Sequence, residues 1–207
     1  AMVGVFEKGK ADVKFTARSN GGHASTPVKG TPIARLSAFV NEVETHSPFR
    51  KKMLPEVSAM FTALAPYAGI GMKLVFGNLW LFGPLLKAVM PSLSAQAGAM
   101  LKTTIAFTVQ KGSDAYNVLP QEAYVGANMR FIPHQGEKES LEIIKKVADK
   151  YGLETEVLHA NDYTPPVDIH GEAFHLVEQT IADTFPGLPS SPYVMTGATD
   201  AQFYQPI

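Results

Sequence analysis

Cysteine is absent from the 207 residues, which excludes disulfides, thiolate nucleophiles and cysteine metal sites and is compatible with any compartment. Charge of one sign is missing as well. Eighteen Lys and Arg against 19 Asp and Glu leave a formal net charge of -1, with no basic footprint for nucleic acid and no acidic bias. No apolar run is long enough to cross a bilayer. Ala68 to Met90 is strongly apolar but carries Lys73 and Lys87, and the uncharged stretch between them, Leu74 to Leu86, is short and interrupted by Gly77 and Gly83-Pro84. The first residues of this chain do not read as a secretory signal, which says nothing about a longer parent. Ala1 ahead of Met2 reads as an expression scar, so the chain is expected to be a fragment, and its compartment stays open with cytoplasmic as the default. Absent too are a Glu-Glu pair, His-x-Asp, His-Glu-x-x-His and a phosphate-cradling glycine loop. The histidines (His23, His46, His134, His159, His170, His175) are scattered and form no metal set, and Asp168-Ile169-His170 lies in a proline-rich linker and reads as surface.

What is there, 45% hydrophobic overall, suits one or two globular domains. Val13, Phe15 and Ala17 alternate within a strand over 10–18. Thr31-Pro32 offers an N-cap and a proline in the first turn for a helix to about Thr45, with Ile33, Leu36, Val40 and Val43 at helical spacing. Residues 49–100 form a helical insertion in which Ala68 to Met90 makes two or three short helices broken at Gly77 and Gly83-Pro84. Its cluster Leu79-Trp80-Leu81-Phe82 is expected to pack on the protein or a partner subunit rather than on lipid. Alternation returns over 101–111 and 122–131, the latter placing Ala123, Val125, Ala127, Met129 and Phe131 on one face and Tyr124, Gly126, Asn128 and Arg130 on the other. A helix over 136–151 capped by Gly152 and a strand over 153–160 follow. The order β-α-(insertion)-β-β-α-β predicts an α+β, two-layer ferredoxin-like domain: a four-stranded antiparallel sheet with both helices on one face. Beyond the linker at 161–169 come one helix (Phe174, Val177, Ile181, Phe185) and a short strand near Tyr193–Thr196. These cannot bury a core alone, so this tail is expected to be part of a second domain, mobile or packed in a non-native place.

Three places could carry chemistry. Gly21-Gly22-His23-Ala24-Ser25 sits between the first strand and the first helix, where glycines let the backbone take positive φ and approach another molecule. His23 is either a plain exposed loop histidine or one presented to a ligand. Ser113 to Pro120 is a turn containing Asn117, followed by Arg130 on the next strand. Asn117 can donate a hydrogen bond and Arg130 can grip a carboxylate through two parallel bonds, or the pair are a turn residue and a surface arginine. Thr196-Gly197-Ala198-Thr199-Asp200 is either a plain turn or a small-residue approach to a ligand.

Taken in order, Gly21 to Ser25, Asn117-Val118-Leu119-Pro120, Met129-Arg130-Phe131 and Thr199-Asp200 resemble the zinc-dependent carboxypeptidase S, aminoacylase and succinyl-diaminopimelate desuccinylase superfamily of metallopeptidases. Asn78 to Phe82 is similar to the subgroup of yeast carboxypeptidase S and the secreted N-acyl amino acid amidohydrolases. The resemblance implies a two-domain enzyme that hydrolyses the amide bond of peptides or N-acyl amino acids. A catalytic domain binds two zinc ions, and a lid domain inserted into it drives homodimerisation. Residues 1 to 162 match the lid and 163–207 the resumed catalytic domain, so the parent is the enzyme and this piece is expected to lack the metal site and activity. By the family pattern His23 belongs to the oxyanion hole of the neighbouring subunit, Asn117 and Arg130 hold the substrate's free carboxylate, and Gly197 and Thr199 line that pocket. Position 198 is Ala where relatives often carry Gly or Asn, which touches the fine shape of the pocket. The contrary reading is a non-catalytic ferredoxin-like module for dimerisation or regulatory ligand binding. A His-x-Asp strand end, an Asp and a Glu-Glu pair encoded upstream of Met2 would decide for the hydrolase.

Overall fold

Ten residues of strict alternation make β2 (Gly9–Arg18), and ten more make β6 (Glu122–Phe131). The computed structural model describes residues 1–204 and pairs these strands antiparallel along their whole length, from Gly9 opposite Phe131 to Arg18 opposite Glu122. β4 (Thr104–Lys111) joins the far side of β6, and β7 (Glu154–Asn161) the far side of β2, both antiparallel. The strand order β4-β6-β2-β7 is that of the split β-α-β arrangement anticipated from the sequence. Each of these strands lies where alternation places it, to within a few residues.

The inward faces of β2 and β6 carry Ala11, Val13, Phe15 and Ala17, and Ala123 through Phe131 at every second position, all buried. Two helices cover that face. α1 (Pro32–Thr45) starts at Thr31, whose Oγ1 accepts the Ala34 N–H, with Pro32 in the first turn where no intrahelical donor is needed. It buries Leu36, Phe39 and Val43. α6 (Glu137–Lys150) buries Ile144, Val147 and Ala148 and ends at Gly152, whose positive φ of 63° turns the chain into β7. Phe39 is the hub between the layers, with its ring 4.7 Å from Phe15, 5.5 Å from Phe107 and 6.2 Å from Tyr151.

A second apolar cluster lies outside this sandwich. β1 (Met2–Glu7), not read as a strand from the sequence, pairs parallel with β8 (Ser191–Met195) from the other end of the chain. The tail therefore does find a partner strand. Val5 and Phe6 of β1 and Val194 of β8 pack with Phe174 of α7 (Glu172–Thr184) and with the insertion. That insertion contains α2 (Pro55–Leu64), a 3-10 turn (Ala65–Tyr67), α3 (Ile70–Gly77), α4 (Leu79–Leu93) and the short α5 (Ala95–Ala99). The break at Gly77 is as expected, but Gly83-Pro84 causes none. Both lie inside α4, where Pro84 lacks only the N–H that would have met the Trp80 carbonyl. Leu79 and Phe82 are half-buried, whereas Trp80 and Leu81 face outward. No single helix is long and apolar enough to cross a membrane.

Candidate functional site

The chain past Arg18 continues the ladder in miniature. Ser19 donates its backbone N–H to the Gln121 carbonyl and its hydroxyl to Pro120. Gly21 and Gly22 follow with φ of 69° and 151°, values that an L side chain resists. A Cβ on Gly21 would also stand 3.2 Å from the Leu119 carbonyl. The glycines thus let β3 (Gly22–His23) fold against β5 (Val118–Leu119), with His23 opposite Val118. The Ala24 N–H bonds the Asn117 carbonyl at 2.9 Å. Two of the sequence motifs, the His23 turn and the Asn117 turn, are thereby one structural unit.

His23 is exposed, and its ring is oriented locally. Nδ1 accepts the Ser25 backbone N–H at 3.2 Å and lies 2.7 Å from the Ser25 hydroxyl. A nitrogen that accepts an amide proton carries none itself, so in the neutral ring the proton resides on Nε2, a donor on an exposed ring. Asn117 is exposed beside it. An open cleft of about 510 Å³ adjoins this unit, lined by Thr31, Ile33, Ser113, Tyr116 and Leu119 among others.

Arg130 is elsewhere. It pairs with Lys10 near the opposite end of β2, on the open face of the sheet. Its Nε donates to Asn128 Oδ1 at 3.0 Å, the Asn128 amide donates to Asp12 at 2.7 Å, and Lys10 stands 2.9 Å from Asp12. The Lys10 ammonium and the Asn128 amide together hold the Asp12 carboxyl below its ordinary range. Eight strand steps separate Arg130 from Glu122, which at about 3.3 Å each is roughly 26 Å, and the His23 unit lies beyond Glu122. Within one chain the structure brings His23 to Asn117 but does not bring either to Arg130.

The tail motif sits at the Arg130 end. Gly197 is open, with nothing within 4 Å of a Cβ placed on it. Thr199 is not free: its backbone N–H donates to Glu7 Oε2 at 3.0 Å and its hydroxyl donates to Glu7 Oε1. Glu7, Lys8, Lys10, Asn161, Ala198 and Gln202 help to line a small cleft of about 170 Å³. Glu7 and Lys8 had no signal in the sequence, being single charges without a diagnostic spacing. Both are buried. Lys8 Nζ donates to the carbonyls of Ala99 and Lys102 at 3.0 and 2.8 Å, tying the end of the insertion to the start of β2.

Burial, aided by the positive charges of Arg130 and Lys102, lowers the Lys8 pKa from 10.5 to about 7. In the unfolded chain it returns to the ordinary value. Between pH 7 and 10.5 the unfolded state then binds more protons, so this group's contribution to stability rises with pH across that window and is least favourable below pH 7. The expected result is that wild type gains on a Lys8→Met variant in urea midpoints as pH goes from neutral to alkaline, with a slope limited to about 1.4 kcal/mol per pH unit. Parallel curves would show that Lys8 titrates normally. Among the described residues no three His, Asp or Glu side chains converge to hold a metal ion, so the zinc ions implied by the resemblance do not fit any set here.

Comparison with known proteins agrees with this architecture. Residues 5–156 match the family model described as the peptidase dimerisation domain. The chain is 32% identical over 212 residues to the N-fatty-acyl-amino acid synthase/hydrolase PM20D1 of Xenopus tropicalis, covering 99% of this chain and 40% of that protein. It is 28% identical to the probable carboxypeptidase S-like 2 of Dictyostelium discoideum, covering 99% and 39%. The chain thus spans about two-fifths of the length of these relatives. Among solved structures, human carnosine dipeptidase 1 aligns with a TM-score of 0.61 at 12% identity, over 98% of this chain and 47% of that one. The Saccharomyces cerevisiae dipeptidase Dug1p aligns at 0.60 and 13% identity, over 97% and 46%. At these identities the likeness is one of fold.

Proposed function

The chain belongs to the peptidase dimerisation domain family, and on that premise we propose that it is the dimerisation and lid part of a homodimeric hydrolase that cleaves the amide bond of N-acyl amino acids or peptides. Two relatives point to this substrate class, one named for N-fatty-acyl-amino acids and one as a carboxypeptidase. The observation that carries the reading is the division of the candidate residues between two ends of one sheet. His23 and Asn117 stand together at one end, and Arg130 lies towards the other, where Thr199 is bonded to Glu7 just ahead of β2. The scissile carbonyl and the free carboxylate of one acylated amino acid are only a few bonds apart, so groups at opposite ends of the sheet of one chain cannot address both. Two copies related by a two-fold axis can present the His23 end of one to the Arg130 end of the other.

In that composite site each group has a chemical task. When water adds to the amide carbonyl, the oxygen becomes an anion, and the Nε2–H of His23 is a donor whose bond strengthens as that charge develops. Asn117, entering from the same copy as His23, donates through Nδ2 to the substrate's free carboxylate. Arg130 takes the substrate's free carboxylate, its guanidinium already oriented by Asn128. Gly197 leaves room for that carboxylate, and Thr199 offers its N–H and hydroxyl once Glu7 releases them. Peptidases of this family are metal-dependent; the ligands of the two zinc ions assigned by resemblance belong to residues other than these, and residues 1–162 and about 163–207 are lid and resumed catalytic domain.

The test is an amide-hydrolysis assay on the natural-length protein with Arg130→Ala beside it. Wild type is expected to be dimeric by light scattering and to release the amino acid from N-acyl amino acids or peptides. The variant is expected to lose about 10-fold or more in kcat/KM on substrates with a free carboxylate and little on their amidated counterparts. Equal losses on both would take the carboxylate away from Arg130, and a wild type that turns over neither would favour the non-catalytic module.

A further inference from the structure

The insertion is apolar on both sides. Its inner side, with Val75, Phe76, Leu86 and Met90, packs into the second cluster. Its outer side does not pack on anything described. Leu81, Leu85, Val89 and Leu93 recur every four residues along α4 and are all exposed, with Trp80 81% exposed beside them and Ile70 85% exposed at the start of α3. Exposed aliphatic and indole groups at this density mark a surface that is covered in use. α4, at 15 residues, is about 22 Å long and falls short of a hydrocarbon core, and α3 leaves it at 109°. The shape is a bent hairpin that can lie along a surface but not cross it.

The charge around this face selects among coverings. Across α3 to α5 the charged residues are Lys73 and Lys87, with no Asp or Glu from residue 57 to 113; Lys51 and Lys52 lie ahead of Glu56, and Arg50 is paired with Glu139. Rims of protein-protein contacts carry both signs. Here the charged residues of the hairpin itself, Lys73 and Lys87, are both cationic. A cleft of about 450 Å³ adjoins α4, lined by Lys52, Met53, Ser58, Trp80, Pro84 and Lys87 among others, so two lysines and an indole share one opening.

We propose that the α3–α4 hairpin is a docking surface for an anionic phospholipid bilayer. The helices lie in the headgroup plane with their outer apolar faces among the upper acyl carbons, Trp80 sits at the interface, and Lys52 and Lys87 take a lipid phosphate at the mouth of the cleft. The sequence suggested the protein or a partner subunit as what Leu79 to Phe82 packs on; Leu79 does pack on the second cluster, while Trp80 and Leu81 are exposed in this chain. This inference is independent of the hydrolase reading, because it uses none of the same residues.

The experiment is vesicle flotation of the natural-length protein, with phosphatidylcholine alone and with phosphatidylcholine mixed with phosphatidylserine. Wild type is expected to float with the phosphatidylserine vesicles, less so at high salt. Leu81→Asp/Leu85→Asp, which changes only exposed positions, is expected to reduce binding about tenfold or more with unchanged circular dichroism and oligomer mass. Lys52→Ala/Lys87→Ala should lose the preference for phosphatidylserine. Failure of wild type to bind either vesicle would overturn the proposal, as would retained binding by the Asp variant. So would shielding of the Trp80 and Leu81 side chains from hydroxyl-radical labelling in the lipid-free protein, which would mean that another segment or a second copy covers the face.

Discussion

Replacing His23 by Ala in the natural-length enzyme is expected to lower kcat roughly 100- to 1,000-fold, about 3–4 kcal/mol, while KM changes much less. The asymmetry follows from when the bond is made. A neutral amide carbonyl is a modest acceptor, and the oxyanion of the tetrahedral adduct is a strong one, so the Nε2–H donor contributes mainly in the transition state. Ground-state binding rests instead on the carboxylate clamp at Arg130. The local geometry supports a donor of fixed tautomer, because the Ser25 N–H and hydroxyl both address Nδ1. Steady-state kinetics on one N-acyl amino acid series measures the split. A fully active His23→Ala enzyme would mean that the residue is an ordinary exposed histidine on a glycine turn.

The elements that frame this site were legible because each carries its own periodicity. β2 and β6 alternate for ten residues with small or apolar groups inward, and α1 and α6 hold a 3.6-residue pattern between recognisable caps at Thr31 and Gly152. β1 was not legible. Its six residues include Gly4, their alternation is slight, and the partner that makes them a strand lies some 190 positions away at Ser191 to Met195. Tertiary pairing of that kind leaves no local trace. Gly83-Pro84 misled for a related reason. A proline forfeits one hydrogen bond, which the packing of Leu86 and Met90 offsets, so α4 runs through it.

The candidate site divides in the same way. His23 stood out because its two glycines announce an unusual backbone, and that backbone is what lets β3 meet β5. That the His23 and Asn117 turns form one unit, some nine strand steps from Arg130, could not be read from motif order along the chain. Strand length and direction decide it. Glu7 and Lys8, which hold Thr199 and the end of the insertion, are single charges whose meaning comes only from burial.

This separation makes the second large effect a matter of mixing. Suppose a His23→Ala protein and an Arg130→Ala protein are each prepared as folded dimers. If His23 works in the neighbour's site while Arg130 works in its own subunit's site, every site in both parents lacks one group. In an exchanged heterodimer, one site joins the intact Arg130 of the first subunit to the intact His23 of the second, and the other site lacks both. Random exchange makes half of the dimers mixed, each with one of two sites whole, so activity is expected to return to about a quarter of wild type. The assay uses a free-carboxylate substrate, on which both parents are weak, and exchange is followed by mass-tagged subunits. If both groups belonged to the same subunit's site, every site in the mixture would still lack at least one, and recovery would be nil however complete the exchange. The distance of roughly 26 Å along β6 argues for recovery, since the scissile carbonyl and the carboxylate that the two groups address are only a few bonds apart in the substrate.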